Sequence, residues 1–106
     1  MLVLVGFSTG GCVSTVASAR LQVDGLFLLA PAFYSTGNGN QEPVPRAQTS
    51  MIIHGWGNDV VPVQNSIGSA MTHSCELHLL DGGHGLNDAL SKIEPLFELF
   101  LMQFMA

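Results

Sequence analysis

The 106-residue chain carries little charge. Its length limits the number of domains, and its charge limits the classes of molecule that it can bind. The length fits one small domain spanning residues 1–106, or part of a larger one. Three basic residues and a net charge of −5 exclude a nucleic-acid-binding surface, because a run of phosphates could not be neutralised.

The chain is apolar without the pattern of a membrane protein. Apolar residues make up 47% of the sequence and charged residues 10%, whereas ordinary soluble domains have about 25% charged residues. No apolar run reaches the roughly 18 residues of a membrane helix, and the start at Met1 lacks the basic residues and length of a signal peptide. We therefore expect a soluble, cytoplasmic protein with no membrane partner. Cys12 and Cys75 are too few for a disulfide framework and are expected to be packing residues.

The first predicted element is a short apolar strand that runs into a glycine-rich turn. Leu2–Val5 precedes Gly6-Phe7-Ser8-Thr9-Gly10, and helix-compatible small residues continue to about Arg20. In such a strand–turn–helix junction, G-x-S-x-G forms a tight turn that excludes side chains at both glycines and exposes the serine hydroxyl. The phosphate-binding glycine motifs, the main alternative, do not align here. Ser8 is therefore a candidate nucleophile, and the N–H of Thr9 would face an oxyanion.

The rest of the chain alternates predicted strands and helices. Continuous apolar runs are typical of strands covered on both faces, as in parallel sheets. The predicted elements are a strand at 23–30, a polar loop at 35–47, a strand at 49–54, a helix after Pro62, a strand at 76–80 and a last helix within 88–105. This alternation predicts an α/β fold with four parallel strands and right-handed crossovers. In such sheets the functional groups lie in loops after the strand C-termini.

Three of those loops carry the groups that serine hydrolysis requires. Ser8 follows the first strand, Asp59 the third and His84 the fourth. A serine hydroxyl needs an imidazole to take its proton, and the imidazole needs a carboxylate to fix its tautomer. We expect the three side chains to meet at one edge of the sheet. Asp81 and Asp88 are weaker candidates for the acid, and both suit turn or helix-cap positions.

The other histidines and the large aromatic residues have simpler interpretations. His54, His73 and His78 lack the spacing of metal ligands, so we expect neither a metal site nor a cofactor. Phe7 and Trp56 are candidates for lining a substrate pocket, with ordinary core packing as the alternative.

Together the motifs resemble the C-terminal half of an α/β-hydrolase. The matching segments are GFSTGG at 6–11, HGWGNDVVP at 54–62 and GGHG at 82–85. The resemblance implies a truncated three-layer α/β-hydrolase-like fold, with helices on both faces of the sheet. It also implies that Ser8 is the nucleophile, Asp59 the acid and His84 the general base.

The resemblance also predicts what the chain lacks. Complete members have strands before the elbow, and a loop after one of them donates the second oxyanion N–H; losing one donor typically lowers turnover about 10²–10³-fold. The loop at 35–47 is too short for a lid domain, so the site should be open. The expected function is an esterase- or thioesterase-like serine hydrolase that acts on a small acyl ester through an acyl-enzyme. The alternatives are a catalytically impaired, self-associating module and one half of a two-chain hydrolase.

The predicted first strand also indicates self-association. In a complete member Leu2–Val5 would be an interior strand, whereas here its backbone donors and acceptors would form an apolar edge. The family topology also leaves part of one sheet face bare. We therefore expect a homodimer that forms through the edge at residues 2–5 or through the bare face.

Overall fold

The computed structural model describes residues 1–35, 37 and 39–105. In chain order its elements are β1 Val3–Phe7, α1 Thr9–Ser18, β2 Val23–Leu29, β3 Ala47–Gly55, α2 Val63–His73, β4 Glu76–Leu80, a 3₁₀ turn Asn87–Ala89 and α3 Leu90–Met102. The predicted alternation of strands and helices is confirmed. Two residues of the predicted loop at 35–47, Thr36 and Asn38, lie outside the described residues.

The four strands form one parallel sheet in the order β1-β2-β3-β4. The register places Leu4 beside Leu26 and Leu28 beside Ile52. At the far edge Ile53 lies beside His78. Because all four strands run in one direction, the loops after their C-termini meet at one edge of the sheet.

Helices cover both faces of the sheet, which makes the predicted three-layer fold. The apolar cluster under α3 contains Phe27, Ala30, Met51, Ile53, Leu86, Ala89, Ile93 and Phe100. The cluster on the opposite face, under α1 and α2, contains Cys12, Leu26, Leu28, Phe33, Ile52 and Ala70. β2 contributes to both clusters, which explains its uninterrupted apolar run. Across the described residues, no helix combines the length and the apolar character needed to cross a membrane.

β1 is an edge strand, and part of it is exposed. It pairs with β2 on one side only within the described residues. Val5 is 52% exposed, and Phe7 is exposed at the end of the strand. The apolar edge expected at residues 2–5 is therefore present in the structure, while its role in dimer formation stays a prediction.

Candidate active site

Ser8 occupies the turn between β1 and α1 in a strained backbone conformation. Its φ of 55° and ψ of −119° fall where residues other than glycine are rare. Its N–H donates to the carbonyl of Leu29 at 2.9 Å, and its own carbonyl accepts from the N–H groups of Gly11 at 3.0 Å and Ala32 at 2.9 Å. Although Ser8 is the N-cap of α1, its hydroxyl makes no capping bond. The surrounding backbone therefore holds the strain, and the hydroxyl is left for another partner.

Gly6 is what allows α1 to start so close to β1. A Cβ at this position would collide with the carbonyl of Gly10 and lie 2.7 Å from the Cα of Gly11. The steric reason predicted for the first glycine of the motif therefore holds. For Gly10 that reason is wrong, because a Cβ there would meet no atom within 4 Å apart from its chain neighbours and the backbone of α1 itself.

The partner of the Ser8 hydroxyl is His84. Ser8 Oγ and His84 Nε2 are 2.9 Å apart, although the residues are separated by 76 positions in the chain. Both side chains are half-buried. The Phe7 ring lies beside the imidazole, with ring centroids 5.1 Å apart and planes tilted by 40°. Trp56 is exposed, and among the described residues its ring makes no aromatic contact with the site. Pocket roles for Phe7 and Trp56 stay predictions.

The second nitrogen of His84 faces Asn58 instead of the predicted Asp59. Asn58 Nδ2 and His84 Nδ1 are 2.8 Å apart. Asp59 is exposed, and within the described part of the chain no hydrogen bond joins it to His84. The cause is a local turn, since Asn58 Oδ1 accepts from the N–H groups of Val60 at 2.9 Å and Val61 at 2.8 Å. This turn directs residue 58 inward and residue 59 toward solvent, so the expected Asp59–His84 pair is corrected to Asn58–His84.

Backbone contacts hold the loops of Asn58 and His84 together. The N–H of Trp56 donates to the carbonyl of Leu80 at 2.9 Å, and that of Gly57 donates to the carbonyl of Gly82 at 2.9 Å. A Cβ on Gly55 would collide with the Gly82 carbonyl. A glycine at position 55 is therefore required for the loop after β3 to pack on the loop after β4.

Solved structures with a similar fold are known. A protein from Xanthomonas campestris pv. campestris, assigned to the α/β-hydrolase superfamily, matches 95% of this chain with a TM-score of 0.85 and 25% sequence identity. The chain has the α/β-hydrolase fold. A serine hydrolase homologue from Coxiella burnetii matches 98% of the chain (TM-score 0.70, 20% identity). A propionate-bound thermophilic esterase from the planctomycete Thermogutta terrifontis matches 97% (TM-score 0.69, 19% identity).

The match covers only part of each neighbouring α/β-hydrolase structure. The chain spans 57%, 49% and 56% of the Xanthomonas, Coxiella and Thermogutta chains, respectively. No protein-family model matches the sequence, and no curated protein is significantly similar to it. The fold assignment therefore depends on structure, and the neighbours are described as hydrolases or esterases.

The buried side chain of His54 supports the loop that carries Asn58 in this α/β-hydrolase fold. His54 Nε2 lies 2.8 Å from the carbonyl oxygen of Val61, and its Nδ1 lies 2.7 Å from Ser66 Oγ. A carbonyl only accepts, so Nε2 carries the proton and Nδ1 accepts from the Ser66 hydroxyl. Burial lowers the pKa of His54, which favours the neutral ring. His54 thus has a structural role, because it ties the loop to α2.

The orientation of the Asn58 amide is set by its oxygen. Oδ1 faces two backbone donors, the N–H groups of Val60 and Val61. Reversing the amide would place its NH₂ group against both donors and leave the buried Val61 N–H unsatisfied, which costs about 1–3 kcal/mol for a buried group. The NH₂ group therefore faces His84, and it can only donate.

Thr9 lies at the first position of α1, next to Ser8. No carbonyl or side chain of the described residues accepts a hydrogen bond from its N–H. An N–H at a helix N-terminus is suited to an anion. Its role as an oxyanion donor stays a prediction.

Proposed function

We propose that this chain provides a serine-hydrolase site of the esterase or thioesterase type, with Ser8 as the nucleophile and His84 as the general base. The observation that carries the proposal is the 2.9 Å separation of Ser8 Oγ and His84 Nε2 at a strained strand–helix turn. The esterase among the structural neighbours, which was solved with propionate bound, supports a small acyl substrate.

The reaction would proceed through an acyl-enzyme. Ser8 Oγ bonds to the carbonyl carbon, the carbonyl π electrons move to oxygen, and the hydroxyl proton passes to His84 Nε2. The N–H of Thr9 donates to the oxyanion. Collapse re-forms the carbonyl and breaks the bond to the alcohol or thiol, which leaves with the proton from His84. Water then attacks the acyl group in the same way, which releases the acid and returns the proton to Ser8.

We expect a fluorophosphonate probe to label the folded chain at Ser8. An Oγ–P bond forms as the P–F bond breaks, fluoride leaves and His84 takes the serine proton. The Ser8→Ala variant should lose the label, whereas Ser14→Ala, which removes a half-buried hydroxyl from α1, should keep it. Intact-mass measurement and peptide mapping would locate the adduct. A folded chain that stays unmodified after long exposure would contradict the proposed activity.

A second candidate function is self-association, which the exposed edge at β1 favours. Strand edges present unpaired N–H and C=O groups, and charged side chains block their pairing. Light scattering at micromolar concentration should give about twice the chain mass of 11.2 kDa. Val5→Lys should shift the protein to monomer, whereas Val13→Lys, on the exposed surface of α1, should not. A monomeric mass for the unaltered chain would remove this candidate.

A further inference from the structure

We infer that Asn58 is a positioning residue that holds His84 in the tautomer protonated on Nε2, and so restrains the base on which Ser8 depends. The inference rests on the proposed function, because it concerns the same Ser8–His84 pair. Its structural part, the position of one proton on the imidazole, can be tested without any reaction.

The hydrogen bonds of Asn58 fix which end of its amide faces His84. Its Oδ1 accepts from the Val60 and Val61 N–H groups at 2.9 and 2.8 Å, so its NH₂ group faces His84. The separation between Asn58 Nδ2 and His84 Nδ1 is 2.8 Å. An amide NH₂ only donates, so Nδ1 must accept with its lone pair.

The acceptor role of Nδ1 determines what the other ring nitrogen of His84 carries. A neutral imidazole carries one proton, and with Nδ1 unprotonated that proton lies on Nε2. The hydrogen bond to Ser8, 2.9 Å long, is then donated by Nε2–H to the hydroxyl oxygen. A general base needs the opposite direction, with the serine hydroxyl donating to an Nε2 lone pair. In this resting tautomer Nε2 can take the serine proton only after its own proton has moved to Nδ1.

The Nε2-protonated tautomer slows catalysis. To act as a base, His84 must move its proton to Nδ1, where it meets the Asn58 NH₂ group donor to donor. A carboxylate at position 58 would accept from Nδ1–H instead. In serine proteases, exchanging the triad carboxylate for an amide lowers turnover about 10⁴-fold through the wrong tautomer. The side chain at position 58 thus limits how fast Ser8 is acylated.

The proton position can be read directly by ¹⁵N NMR of the imidazole rings in folded protein that has not been treated with the fluorophosphonate probe. For the native chain we expect His84 Nε2 to show the protonated, pyrrole-type signal and Nδ1 the unprotonated, pyridine-type signal. In Asn58→Asp the two signals should exchange. His54, whose Nε2 donates to the Val61 carbonyl, provides an internal reference that should not change. A native His84 protonated on Nδ1 would overturn the inference.

Asn58→Asp should also speed fluorophosphonate labelling of Ser8 by about 10²–10⁴-fold. The carboxylate can keep both hydrogen bonds to Val60 and Val61, so the loop should hold its shape. The matched control is Gln48→Glu, which adds the same charge at an exposed position near the start of β3 and should leave the rate unchanged.

The outcomes separate this inference from the proposed function. Equal labelling rates for the native chain and Asn58→Asp would overturn the inference and leave the hydrolase proposal standing. If neither protein is labelled, the hydrolase proposal fails, and the NMR signals alone decide whether Asn58 sets the tautomer. If only Asn58→Asp is labelled, the inference is supported and the native chain is inactive.

Discussion

Replacing Phe100 with alanine should destabilise the fold by about 3–5 kcal/mol, the range for truncating a buried aromatic side chain. Phe100 is 0% exposed and joins α3 to the sheet. Its ring centroid lies 5.3 Å from that of Phe27 in β2 and 5.3 Å from that of Phe104. Total stability of small domains is about 5–15 kcal/mol, so the loss would remove a large share of it. Urea denaturation followed by circular dichroism would measure the difference.

The adjacent residue provides the control for Phe100. Leu99 is on the same helix but is 61% exposed, so Leu99→Ala should change stability by no more than about 0.5 kcal/mol. Similar losses for the two variants would show that α3 is not anchored to the sheet through Phe100.

The sequence predicted the elements of the fold well because they depend on local patterns. β4 begins at Glu76 and ends at Leu80, as predicted. The bounds of the predicted third strand were too narrow, since β3 runs from Ala47 to Gly55. β3 pairs with strands on both sides, and pairing with β2 extends it back to Ala47, opposite Val23. Such extension comes from neighbouring strands and is not encoded in the residues that it adds.

The sequence predicted the candidate site only in part. Strand direction decides which loops meet, whereas local hydrogen bonds decide which side chain of a loop faces the site. Strand direction alone was enough to bring Ser8 and His84 to one edge of the sheet. Strand direction did not decide which of the adjacent residues Asn58 and Asp59 faces the imidazole. That depends on the amide hydrogen bonds to Val60 and Val61. The available signal was the tendency of asparagine and aspartate to accept hydrogen bonds from N–H groups two or three residues later.

Removing the imidazole of His84 should change the rate of Ser8 labelling by very different amounts in the Asn58→Asp chain and in the native chain. His84→Ala should slow labelling of Ser8 by about 10²–10⁴-fold in the Asn58→Asp chain, the usual contribution of a general base. In the native chain the same substitution should slow labelling by less than about tenfold, because Nε2 already carries a proton and accepts poorly. The two residues should therefore be strongly coupled in a double-mutant cycle built from the four labelling rates.

The coupling between the substitutions at positions 58 and 84 is the informative quantity, because no single labelling rate identifies the cause of slow labelling. A slow native rate also follows from a missing oxyanion donor, but that defect would slow the native and Asn58→Asp chains alike and cancel in the cycle. His78→Ala, which removes a half-buried histidine paired with Glu76 on the edge strand β4, is the control and should act equally in both backgrounds. Equal effects of His84→Ala in the two backgrounds would mean that Asn58 does not govern the basicity of His84. Strong coupling would instead place the restraint in one side-chain amide, which a single substitution can lift.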